Sequence, residues 1–532
     1  MSPTSSPDTS SLPVIEPDLE AAATSIDEAD AAAQASSASQ TGAANAGGAS
    51  AAAKPGLVAR LVASVSDPVL RILVTATLIS RVGRGIFLTI TVLYFTLVVG
   101  LPAHEIAIVL GASSAAGIVA SLAGGWLADR MSARRVLLVL TTLEGIGLLC
   151  YAVAGDFVSA LVVAVLVGAF GQGANTTRMA ILARAFAPEQ RVHARAVLRT
   201  VTNLSIAVGS GLGALALAIG TPEAYRILLV AAGGLYLLAL VRLVKLPASV
   251  DAVPPAPPIT GAVEAIDPVT TAPVGAAVDG SIDDDELEGA DAADGRTSHD
   301  AAPAASARPA RPAKRRSRFA HSPWRDPRYL ALTALSAIFG MQFGVAEIGV
   351  PLWIAHETDA STVLVSAVLI LNTVIVVLFQ VPLSRGTHDL RRAGRVSAIA
   401  AWLMAGTCLI YAAAAGLPVW FSVVFIVLAS ITHAFAEVLS QAGGWGLSFE
   451  LADPVQAGTY QGVYSMGYSI GATLAPAVVT ATALSMGLAG WAILAVIFLA
   501  SGLGTWAIAR TAASRADAAA TRRAAGAVGG VG

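Results

Sequence analysis

Twelve apolar runs, most of them twenty residues or longer and interrupted by few charges, constrain this chain more than any other feature. They lie at roughly 72–99, 106–127, 136–154, 158–182, 196–219 and 225–245, and again at 329–354, 362–383, 395–415, 418–441, 460–483 and 487–509. About twenty residues, rising ~1.5 Å each as a helix, cross the ~30 Å hydrocarbon core of a bilayer. No stretch alternates polar and apolar with the period of two that a membrane barrel requires. Composition agrees: 55% of residues are hydrophobic and 13% charged, against about 25% charged in soluble domains. The expected fold is therefore all-α and membrane-integral, with twelve transmembrane helices in two six-helix halves.

The remaining segments read differently. Residues 1–56 are rich in Ala, Ser, Thr, Asp and Glu and lack the basic start and apolar core of a signal peptide, so they read as an uncleaved disordered tail. Residues 247–325 combine Pro-rich, acidic (Asp283 to Glu286) and basic (Lys314 to Arg318) stretches that cannot bury enough apolar surface to fold, and they read as a disordered linker. The halves then occupy 57–246 and 326–510, and 511–532 is a fraying tail. Cys150 and Cys408 both sit inside apolar runs, which excludes a disulfide framework or a CxxC metal site.

Orientation follows from the arginines. Arg130, Arg134 and Arg135 follow helix 2, Arg184, Arg191 and Arg195 follow helix 4, and Arg385, Arg391, Arg392 and Arg395 follow helix 8, whereas the connections on the other side carry almost no Lys or Arg. The positive-inside bias puts these loops, both termini and the linker in the cytoplasm, in a cell-membrane protein. The halves also repeat faintly: Arg71, Leu73 and Gly83 recur as Arg328, Leu330 and Gly340, and Pro188 recurs as Pro454. Parallel repeats of this kind place a substrate site near the midplane between them.

The sharpest local signal is Gly125-Trp-Leu-Ala-Asp129-Arg130-Met-Ser132-Ala-Arg134-Arg135 in the loop after helix 2. It resembles the signature of the major facilitator superfamily, with Ser132 in place of the family's second glycine. The resemblance implies a secondary transporter in which Gly125, Asp129, Arg130, Arg134 and Arg135 form a conformational latch rather than a binding site. Physically, Gly125 admits close helix contact, Asp129 caps or pairs with a cation, and the arginines meet helix C-terminal carbonyls. A topology-setting basic loop is the plainer alternative. Other family marks are partial: Gln172-Gly173 lacks the arginine of drug exporters, Ala169 standing there instead. The antiporter motif appears as Gly209-xxx-Gly213-Ala214 without its proline, while helix 11 has Gly471-xxx-Ala475-Pro476.

Ionisable residues at membrane depth cost ~2.5–3.5 kcal/mol each on insertion scales and so mark candidate coupling or cavity positions: Arg81, Arg84, Glu144, Arg178, Glu347, His433 and Glu437. The resemblance implies that helices 1 and 7 line the cavity, which favours Arg84 and Glu347 as opposed partners and Glu347 as the coupling carboxylate. Snorkelling or pairing between helices accounts equally for Arg178, His433 and Glu437. His433 and Glu437 share a helix face; a proton relay, half a metal site or a hydrogen-bonded pair all fit, and with no further ligands the pair is favoured over a metal. The run Gly443-Gly444-Trp445-Gly446 reads as a gate, a hinge or an interfacial anchor in a loop.

These features favour a monomeric exporter of a small organic solute driven by protons, with no cofactor, no metal, no catalytic residues and no nucleic-acid partner. A proton-coupled importer shares every feature. A membrane enzyme would need a His-based constellation that the seven scattered histidines do not form, and a non-transporting sensor would use the linker as its interaction segment. No phosphate-binding GxxxxGK[ST] occurs, so the chain itself offers no site for nucleotide energy.

Overall fold

The computed structural model describes residues 67–251 and 322–528; the tail 1–56, most of the expected linker and the last four residues lie outside the described residues. Among the described residues twelve helices follow one another. They are α1 (Pro68–Tyr94), α2 (Ala103–Arg130), α3 (Ala133–Tyr151), α4 (Phe157–Ala185), α5 (Pro188–Ile219), α6 (Pro222–Leu243), α7 (Pro327–Glu357, interrupted at Met341), α8 (Val363–Ser384), α9 (Leu390–Ala413), α10 (Val419–Glu450), α11 (Ala457–Val479) and α12 (Leu488–Val528). A π turn extends α1 at Phe95–Val99, lies within α7 at Val345–Gly349 and extends α11 at Thr480–Leu484. Ten of these helices are long and apolar enough to cross a membrane. The other two, α3 and α5, carry Arg134, Arg135 and Glu144, and Arg191, Arg195 and Arg199.

Local chemistry sets many of the helix starts. An acceptor side chain satisfies free N–H groups of the first turn, and a following proline gives up an N–H that would have no partner. Asp67 caps α1 ahead of Pro68, Thr221 caps α6 ahead of Pro222, and Asp326 accepts from the amides of Arg328 and Tyr329 ahead of Pro327. Asp156 and Ser159 form a reciprocal capping box at α4, and the bonds from Ser159 hold the exposed Asp156 carboxyl below the usual carboxylate range.

Each half has its own core. One apolar cluster joins Ile86, Phe95, Leu148, Val167, Leu229 and their neighbours, all from α1 to α6. The other joins Trp353, Met404, Tyr411, Ile426, Trp491 and Phe498, all from α7 to α12. Large apolar side chains such as Leu97, Val119, Ile370, Trp420 and Val496 remain exposed on the outer surfaces, as lipid contact permits. Bare backbone brings helices together: a Cβ on Gly209 of α5 would lie 2.0 Å from the Val82 carbonyl of α1, and one on Gly471 of α11 would lie 2.0 Å from the Ala337 carbonyl of α7. The two partial antiporter motifs thus occupy equivalent packing positions in the two halves.

Three boundaries differ from the apolar runs. α5 starts at Pro188 rather than near residue 196, α10 continues to Glu450 rather than ending near 441, and α12 continues to Val528, so the expected fraying tail is helical as far as it is described. Apolar windows detect only the part of a helix in hydrocarbon, whereas backbone hydrogen bonding continues into polar turns. In consequence Gly443-Gly444-Trp445-Gly446 is buried helix, not a loop. Its glycines admit close neighbours, a Cβ on Gly446 falling 2.2 Å from the Thr387 carbonyl. Ala248–Asp251 forms a short 3-10 turn against the N-terminal half, inside the region expected to be linker.

Candidate functional site

The two halves meet at the arginine-rich face, and Asp129 is the centre of that contact. Located at the last turn of α2, its carboxylate accepts from the backbone N–H of Gly458 (2.8 Å), the backbone N–H of Thr459 (2.6 Å) and the Thr459 hydroxyl (2.6 Å), all in the first turn of α11. It also pairs with Arg184 of α4, whose other guanidinium nitrogen donates to the Ala128 carbonyl at 2.7 Å. An anion at a helix N-terminus and a buried guanidinium reinforce each other. Gly125, one turn back, makes the approach feasible: a Cβ there would lie 2.1 Å from the Gly458 carbonyl.

The rest of the signature loop does other work. Arg130 stacks over Trp126 at 3.8 Å. The Arg134 amide and the Ser132 hydroxyl both donate to Asp251, and the Arg134 guanidinium donates to the Leu246 carbonyl at 3.0 Å, tying the loop to the segment after α6. Arg135 supplies its backbone N–H to the Ser132 cap. Gly125 and Asp129 therefore reach the opposite half, while the polar contacts described for Ser132 and the three arginines stay within the N-terminal half.

A ladder of arginines on α5 forms the second seam. Arg191, Arg195 and Arg199 are spaced i, i+4, i+8 and share one face. Arg191 lies 3.9 Å from Glu450, Arg195 sits over the Trp445 ring at 4.4 Å, and Arg199 donates to Glu437 at 3.0 Å, all three partners being on α10. Asn372 of α8 donates to the second Glu437 oxygen at 3.3 Å. Counting ~1.5 Å per residue from the arginine-rich ends, Glu437 and Arg199 lie ~20 and ~17 Å deep, close to mid-membrane. Gln172 of α4 crosses the seam at similar depth, donating to Ser469 of α11 at 2.8 Å.

The expected pairing of Arg84 with Glu347 is not what the structure holds. Glu347 is exposed on α7, and the charges acting on it are Glu437 and Arg199. Arg84 lies over Phe87 at 5.5 Å and joins Arg81, Arg178 and Glu144 within the N-terminal half. α1 and α7 face different partners at this depth, which their sequences alone do not disclose. The favoured His433–Glu437 hydrogen bond is also replaced: Glu437 bonds to Arg199 and Asn372, and the His433 ring meets Tyr411 edge-on. Among the described residues no group of three or more His, Cys, Asp or Glu is placed to hold a metal ion.

Sequence reasoning missed the α5 ladder because it read Arg191 and Arg195 as loop residues and did not weigh Arg199. The i, i+4, i+8 spacing was the available signal. Replacing Gly125 with Ala should push α2 from α11; overpacking of this kind costs ~1–3 kcal/mol. At ~1.4 kcal/mol per decade that shifts the closed-to-open balance of this face by about fivefold to a hundredfold. A fluorescence pair at Met131 and Val455, both exposed near the contact, should report the longer distance; an unchanged distance would mean that the glycine contact does not hold the face shut.

Residues 73–476 match the sequence profile described as Major Facilitator Superfamily. No curated protein sequence matches significantly. Among solved structures, the chain is similar to a human organic anion transporter (TM-score 0.55, 14% identity, covering 82% of this chain and 99% of that one). It is also similar to the transporter FucP in an outward conformation (0.56, 13%, 84% and 99%) and to an outward-facing bacterial homologue of the iron transporter ferroportin (0.56, 12%, 84% and 99%).

Proposed function

The chain belongs to the major facilitator superfamily, and from that premise we propose that it exports a small organic solute by proton antiport, its halves rocking to expose a central cavity to each face in turn. The observation that carries the reading is the Asp129 clasp. It is built from contacts between halves, it lies away from mid-membrane, and it must break for the arginine-rich face to open. The partners are the bilayer, the solute and protons, and one chain holds both halves, so a monomer suffices.

We further propose that the arginine-rich face is cytoplasmic and the membrane is the cell membrane; the structure then corresponds to a state closed inside. Single cysteines at Ala187, exposed between α4 and α5, and at Val153, 83% exposed between α3 and α4, lie at opposite ends of α4. In a background lacking Cys150 and Cys408, an impermeant thiol reagent should label only the Val153 position in intact cells. Labelling only at Ala187 would invert the topology. Direction and coupling are read by a solute panel in cells lacking or overexpressing the protein, with and without a protonophore: protonophore-sensitive loss of solute is expected. Solute gain, or indifference to the protonophore, would overturn export or proton coupling respectively.

A further inference from the structure

Charges within the N-terminal half do not balance. The charges of Arg81 and Arg84 of α1 and Arg178 of α4 all act on one buried carboxylate, Glu144 of α3, with Tyr236 of α6 beside it. Glu144 is 5% exposed and Arg178 7%. Among the described residues none of the three arginines belongs to an ion pair, and the Nε atoms of Arg81 and Arg178 are buried without a hydrogen-bond partner. Glu144 is seated deliberately, against Gly171, where a Cβ would come within 2.7 Å of its Oε1.

A guanidinium stays protonated in proteins, so it cannot escape burial by losing its charge, and an unpartnered one at membrane depth is costly. The deficit calls for an anion. A carboxylate matches the planar fork of arginine better than any neutral group. The site is also reachable: Arg81 and Arg84 are only partly buried, and the Arg81 charge acts on Arg195, which lies over Trp445 at the seam between halves. We propose that the solute is an organic carboxylate, bound between the halves against Arg81, Arg84 and Arg178, with Glu144 as the resident negative charge that it supplements. This rests on the transporter reading and adds the substrate class to it.

The test uses the full chain in phosphatidylcholine nanodiscs, where the lipid offers no net anionic headgroup, and probe pairs that differ by one charge: benzoate against benzamide and cinnamate against cinnamamide. Thermal stabilisation and tryptophan fluorescence report binding. Carboxylates should bind and the amides should not, and Arg178→Gln or Arg81→Gln should weaken binding at least about tenfold, as loss of a charged hydrogen bond does. Glu144→Gln should tighten carboxylate binding several-fold, a gain that a misfolded variant cannot mimic. The proposal is overturned if the amides bind as well as the acids, if no carboxylate binds, or if Glu144→Gln weakens binding as Arg178→Gln does. Flux of a neutral or cationic solute alone by the wild-type protein would also overturn it while leaving the transporter reading intact; absence of any solute flux would sink that reading instead.

Discussion

Replacing Asp129 with Asn should cut transport about a hundredfold while leaving solute affinity within a few-fold of wild type. The carboxylate accepts from two backbone amides and a hydroxyl of α11 and neutralises Arg184, whose side chain is only 3% exposed. Removing one partner of a buried pair costs ~3–5 kcal/mol because the other charge is stranded. The asparagine oxygen still accepts one bond, so ~3 kcal/mol is the fair expectation, a shift of about a hundredfold against the closed state at ~1.4 kcal/mol per decade. A carrier that cannot close one face stalls in the other conformation, and its binding groups, from ~9 Å (Arg178, six residues from Arg184) to ~20 Å or more (Arg81 and Arg84) deeper on the helical rise, make no contact with Asp129 and keep their geometry. The Met131–Val455 pair should read a longer distance. A large loss of affinity with an unchanged distance distribution would assign Asp129 to the solute site instead.

Glu437→Gln should abolish gradient-driven transport, by two orders of magnitude or more, and leave solute counterflow in place. Glu437 is 3% exposed and pairs with Arg199 across the seam at mid-membrane, so it is a buried carboxylate that joins the two halves deeper in the membrane than the Asp129 clasp. Protonating it would remove the negative charge that holds Arg199, which links proton occupancy to separation of the halves. A glutamine oxygen still accepts from Arg199 while the Asn372 contact is lost and the negative charge is gone in every state, hence the split between driven transport and exchange. Glu347→Gln, a change at an exposed position, should stay within a few-fold of wild type in the same assay. Driven transport that survives Glu437→Gln and vanishes in Glu347→Gln would restore the ranking that the sequence alone favoured.

Much of this molecule is legible along the chain because the responsible physics is local. Whether a run of residues enters hydrocarbon depends on that run's own transfer energy, and which side a loop stays on depends on its own arginines, so the spans, the halves and the direction of the charge asymmetry need no knowledge of packing. Helix caps such as Asp67 and Asp326 are equally local. The loop after helix 2 was visible as a motif because Gly125 and Asp129 lie in one short stretch.

Only the folded structure decided who meets whom. Asp129 and Gly458 are separated by 329 residues, and Arg199 and Glu437 by 238. Such pairings depend on the rotation of each helix about its axis and on the tilt of one half against the other. A helix rotates by about 100° per residue, so small differences in rotation decide whether Glu347 faces Arg84 or the open space beside Glu437. That is why the sequence by itself determined an integral membrane bundle with a signature loop after helix 2, while the identity of the clasp partners, the arginine ladder of α5 and the surplus of guanidinium around Glu144 were decided by tertiary packing.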